Sequence, residues 1–160
     1  MSAKAIIEQL KRLCVLHEHL LTLSEEKTEA LKAGKTKELS NILTKEQKYI
    51  QAITQTEDDR IKTTSAFLGY SENNTISACI AKTSGSEKEE LEQLYESLSQ
   101  VLGRLKKVNE MNRQLTRDAL QFISISYDML VPKENNFNYS KSIKAELPKS
   151  SKMKLFDSKA

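Results

Sequence analysis

Both prolines of this chain, Pro132 and Pro148, fall within its last thirty residues, so residues 1–131 run without one. Over that stretch glycine appears only at Gly34, Gly69, Gly85 and Gly103. Inside a helix proline costs about 3 kcal/mol and glycine about 1 kcal/mol relative to alanine. One removes a backbone donor, and the other gives up the most chain entropy. A run this poor in both predicts long helices, broken where glycines stand.

The apolar spacing agrees. Residues 3–33 carry Ile6, Leu10, Leu13, His17 and Leu20, with a second ridge at Ile7, Cys14 and Leu21. Steps of three and four place both ridges on one helical face. Gly34 suits the left-handed position that ends a helix, and Lys32 and Lys35 suit its negative end. Thr36 then reads as the cap of a second helix over 36–68, with Glu38 in its first turn. Its seam is Leu39, Ile42/Leu43, Glu46, Tyr49/Ile50, Ile53, Glu57, Arg60/Ile61, Thr64 and Phe67/Leu68. Residues 69–86 are rich in Gly, Ser and Asn but hold the apolar island Ile76, Ala78, Cys79 and Ile80. They read as a packed connector in which Thr75 caps a short helical piece.

A third long helix over 87–130 opens on Ser86-Glu87-Lys88-Glu89, a capping-box pattern. Its seam runs Leu91, Leu94/Tyr95, Leu98, Val101/Leu102, Leu105, Val108/Asn109, Asn112, Leu115, Ala119, Phe122/Ile123, Ser126 and Met129/Leu130. The expected fold is therefore all-α: an antiparallel bundle of three long helices with coiled-coil-like packing and a flexible C-terminal tail. The expected domains are a helical bundle over 1–131 and a disordered basic tail over 132–160. The third helix would reach roughly 65 Å and the other two about 45–50 Å, so its far end lacks a full set of neighbours.

Asn109 and Asn112 stand where the third seam calls for apolar residues. Either one faces solvent at the seam edge, or a buried Asn fixes register at some cost in stability.

Charge is unevenly placed. Residues 131–160 hold seven lysines against three acids, whereas residues 1–130 hold 18 basic and 19 acidic side chains. The bundle has no basic face for nucleic acid, and lysines scattered singly among Ser and Asn make a poor patch for lipid. The tail also carries Phe137, Tyr139, Ile143, Leu147, Met153, Leu155 and Phe156. Seven large apolar residues are of little use to a purely solvating tail, which points to folding on a partner.

No constellation of nucleophile, base and orienting group is readable, so no catalysis and no cofactor is expected. His17 and His19 are two apart and would point about 200° apart on a helix, which excludes a shared metal. Ala33-Gly34-Lys35-Thr36 ends like a phosphate loop, but Glu29 occupies the place of its first glycine. Cys14 and Cys79 have no CxxC partner and read as small apolar residues kept reduced. No apolar stretch is long enough for a signal core or a membrane span, so a cytoplasmic location without membrane insertion is expected. Asn73-Asn74-Thr75 matches a glycosylation acceptor, which that location makes irrelevant.

Several of these pieces resemble the FlgN-like flagellar export chaperones. They are Ala30-Leu31-Lys32-Ala33-Gly34 followed by Leu39, Lys45-Glu46-Gln47, Arg60, Leu68-Gly69 and the Thr75-Ile76 connector. The most characteristic is Leu105-Lys106-Lys107-Val108-Asn109-Glu110-Met111-Asn112-Arg113-Gln114-Leu115, with its Asn109-x-x-Asn112-x-x-Leu115 spacing. The resemblance covers residues 5–130 in layout, and the tail only in a terminal Leu155-Phe156-Asp157. It implies a cytosolic chaperone that keeps hook-associated proteins of the FlgK and FlgL type soluble for type III export. It also implies contact with export gate components, no ATPase activity, and a packing role for the Asn pair.

Under that implication the client site is expected on the last third of the third helix and the adjoining tail. Its residues are Leu120, Ile123, Tyr127 and Leu130, then Phe137, Tyr139, Ile143 and Leu147. An apolar stripe without cover marks an interaction surface, and a partner's amphipathic helix complements it. The alternative is a generic coiled-coil adaptor or scaffold with no export role.

Overall fold

The structure, a computed structural model, describes residues 2–131. These hold four α-helices and no strand: α1 (Lys4–Ala33), α2 (Thr36–Leu68), α3 (Ile76–Lys82) and α4 (Gly85–Leu130). Three of them are long, and the short fourth lies in the connector where the sequence places a helical piece capped by Thr75. The short α3 folds because Thr75 Oγ1 accepts the Ala78 N–H at 3.1 Å, satisfying a donor that the first turn leaves open.

Gly34 and Gly69 end α1 and α2 with φ of 65° and 82°, the left-handed region that only glycine enters without strain. Two starts differ from the sequence reading. Thr36 is the first residue of α2, preceded by Lys35, which offers no side-chain cap. α4 begins at Gly85, so Ser86, the expected cap of its capping box, lies inside the first turn. The Glu87 carboxylate accepts the Ser2 hydroxyl at 2.6 Å and the Ala3 N–H at 3.1 Å. It thereby supplies the acid that the first turn of α1 lacks.

The chain divides into two units, Met1–Arg113 and Gln114–Ala160. Within the first, Gln9 meets Thr63 and Lys27 meets Glu46, so α1 and α2 run in opposite senses. Lys11 meets Glu90 and Glu25 meets Arg104, so α1 and this part of α4 run in the same sense.

The core of this unit is widest near the start of α1. Ile6, Ile7, Leu10, Leu13 and Cys14 pack there with Phe67, Leu68, Cys79, Leu91 and Leu98. Ile76 and Ile80 of α3 pack against the same cluster, so α3 covers apolar surface that the three long helices leave open. Lys82 anchors it by donating to the carbonyl oxygens of Phe67 (2.6 Å) and Leu68 (3.4 Å) at the negative end of α2. Its ammonium also lies 5.1 Å from the Phe67 ring centre. Further along, the core narrows to Leu20, Leu21 and Leu105, and then to Leu23, Ala30 and Ile42 between α1 and α2 alone.

Of the polar intrusions in the second seam, Glu46 and Arg60 are buried and Glu57 is partly so, and each is paired. Arg60 presents Nε and Nη2 to the two Glu57 oxygens, and Glu46 binds Lys27 of α1 at 3.0 Å. His17 is half-buried with Nδ1 2.8 Å from the Leu13 carbonyl oxygen, and burial holds its pKa below the usual imidazole value. Leu43, Ile61 and Tyr95, assigned to seams by spacing, are exposed instead.

Candidate client-binding surface

On α4 the seam positions Leu91, Leu98, Leu105 and Asn112 are buried at intervals of seven. Asn112 is 3% exposed. Its Nδ2 donates to the Ser24 carbonyl oxygen at 2.9 Å, and its Oδ1 accepts the Thr28 hydroxyl. Asn109 is half-buried beside it.

Residues 114–130 carry only three charges, Arg117, Asp118 and Asp128. Leu120, Ile123, Tyr127 and Leu130 are 47, 62, 38 and 83% exposed. Steps of three, four and three put these four on one face of the helix, within an arc of about 80°. Phe137, Tyr139, Ile143 and Leu147, the other half of the expected site, lie outside the described residues.

A second stripe was missed by the sequence reading. Phe122, Ile125 and Met129 are 72, 52 and 83% exposed, so Phe122 and Met129, both assigned to the seam, are not seam residues. They share a face centred about 150° from the first stripe. The signal for it lies in Ile123-Ser124-Ile125-Ser126-Tyr127-Asp128-Met129, where apolar and polar residues alternate strictly. A period of two wound into a helix of 3.6 residues per turn sends its apolar residues to two faces.

This segment is poorly suited to standing uncovered. It continues α4 rather than standing alone, but Phe, Ile and Ser are mediocre helix formers. Residues 121–127 carry no charge, and large apolar surface left open usually marks an interaction site. Gln114 donates to Asp118 at 2.9 Å, one of the few local supports. The arrangement can hold an apolar helix or segment of a partner. Among the described residues no group of three or more His, Cys, Asp and Glu is placed to hold a metal ion. No helix there is long and apolar enough to cross a membrane.

No solved structure matches the chain. The family model described as FlgN protein matches residues 1–146, which takes in all four helices and the exposed segment of α4. The chain belongs to the FlgN family, the flagellar export chaperones that its sequence resembles.

Proposed function

We propose that this protein is a cytoplasmic chaperone that binds hook-associated proteins of the hook–filament junction, of the FlgK and FlgL type. It keeps them soluble and unassembled and hands them to export gate components for type III export. In this reading residues 1–113 are the scaffold, an antiparallel bundle of long helices with coiled-coil-like packing. The client's terminal helices lie on Leu120, Ile123, Tyr127 and Leu130. Phe137, Tyr139, Ile143 and Leu147 of a separate C-terminal tail fold onto the same client. The observation that carries the reading is the run of exposed apolar residues over 120–130, in a chain of this family.

The chemistry is physical rather than covalent. Burying a large apolar side chain contributes about 1.5–3 kcal/mol, so a handful of contacts suffices for a complex. Ordering a tail on the client opposes binding, which leaves a release step accessible. The test is co-purification of the tagged chain from flagellated cells at native expression, read by mass spectrometry. Stoichiometric junction protein on the wild type, and its loss in Leu120→Ser/Ile123→Ser, is the expected result. A self-assembled oligomer of the chain, with no junction protein in either sample, would contradict the proposal in favour of a scaffold.

A further inference from the structure

We infer that Asn112 with Ser24 and Thr28, and Glu87 with Ser2 and Ala3, form a two-point lock that sets the register of α4 against α1. The inference stands apart from the client reading and concerns how α4 is positioned. Between the two points lie Leu91, Leu98 and Leu105, buried at intervals of seven and packed with leucines of α1. A repeat of one residue type at the pairing period fits its neighbour again after a shift of seven residues, about 10 Å along the axis. The leucines therefore leave two or more registers nearly equivalent, and something polar must choose among them.

Asn112 makes that choice at one end. Shifted seven residues back along α1, its amide would lie at the level of His17, Leu20 and Leu21, and Ala119 would face Ser24 and Thr28. A buried amide facing leucines loses its hydrogen bonds, a penalty that apolar seam positions never meet. Shifted the other way, Asn112 would lie at the level of Leu31 and Lys35, across the end of α1 at Ala33, and would lose the Thr28 hydroxyl. Glu87 chooses at the other end. The first turn of α1 holds no acid, so the Ala3 N–H and the proton of the Ser2 hydroxyl depend on this carboxylate. A shift of seven back along α1 would offer them Leu94, and a shift the other way would leave them beyond the start of α4 at Gly85. The pairs Lys11–Glu90 (2.7 Å) and Glu25–Arg104 (3.4 Å) agree with the same register, but both are about half-exposed and hold it weakly. Asn112 is the last buried residue of α4 among the described residues.

The test places spin labels at Lys32→Cys and Glu96→Cys, both at exposed positions, in the full chain carrying Cys14→Ala and Cys79→Ala. Pulsed electron–electron resonance should give one distance in this background and in each single variant, Asn112→Leu and Glu87→Ala. The double variant should show a second population displaced by about 10 Å. An independent readout keeps the native cysteines. Cys14 Sγ lies 3.9 Å from the Leu94 carbonyl oxygen, so Val101→Cys, seven residues on, should form a disulfide with Cys14 only in the slipped double variant. A double variant that keeps the single distance, and whose Val101→Cys derivative forms no disulfide with Cys14, overturns the lock.

Discussion

Leu105 is the buried α4 residue of the middle core cluster, 3% exposed and packed with Leu20 and Leu21, with Tyr49, Ile50 and Val108 around it. Leu105→Ala removes three carbon atoms where the surrounding helices cannot all close in, a change that costs about 3 kcal/mol. The unit Met1–Arg113 has an unfolding entropy near ~240 cal/mol/K at ~2.1 cal/mol/K per residue, so this corresponds to a fall in Tm of about 12 °C. Leu105→Asp adds a carboxylate that finds no partner among leucines, which brings the loss to about 5 kcal/mol or more. That equals the whole stability of many small domains. The assay is far-UV circular dichroism against temperature, with Glu92→Lys as an exposed control expected within about 0.5 kcal/mol of wild type. The alanine variant should melt roughly 12 °C lower and the aspartate variant should lose most helicity by about 37 °C. Wild-type melting in both would refute the seam assignment.

Glu87 is held below the usual carboxylate range by the Ser2 hydroxyl and the Ala3 N–H. Its stabilisation is present above the unfolded pKa near 4.5 and is lost as pH falls through the lower folded value, so wild type and Glu87→Gln should differ at about pH 7 and converge as pH falls through that lower value in thermal melts. His17 shows the complementary case: burial depresses its folded pKa below 6.5, so the unfolded chain binds the extra proton and stability declines as pH drops below that value. His17→Gln should flatten that decline, and an unchanged slope would point to other groups. Lys82→Met should cost about 1 kcal/mol by freeing the Phe67 and Leu68 carbonyl oxygens, and hydrogen exchange should show faster opening of α3 than of α1.

The helix limits were readable to within a residue or two, and three of them rest on a local device. Gly34 and Gly69 occupy positive-φ positions, and Thr75 caps the short α3 through its own hydroxyl. What crosses between helices was not readable. Glu87 serves α1 from 84 positions along the chain, and no local pattern announces that role. Leu43, Ile61 and Tyr95 share the phase of buried neighbours, yet a helix touching only one or two others buries a narrower arc than its apolar stripe spans. At 120–130 the spacing of Leu120, Ile123, Tyr127 and Leu130 follows the buried seam. Their exposure was expected from helix length, whereas the opposite stripe, Phe122, Ile125 and Met129, called for a reading at period two.

Isothermal titration of the full chain with a purified FlgK-type junction protein tests the central proposal most directly. The comparison is between wild type and Leu120→Ala/Ile123→Ala, at positions 47 and 62% exposed. Each truncation should remove about 1.5 kcal/mol of apolar contact, so the pair should weaken Kd by roughly 100-fold while leaving Tm unchanged. Equal affinity in the two proteins, at equal Tm, would contradict the placement of the client on this face of α4.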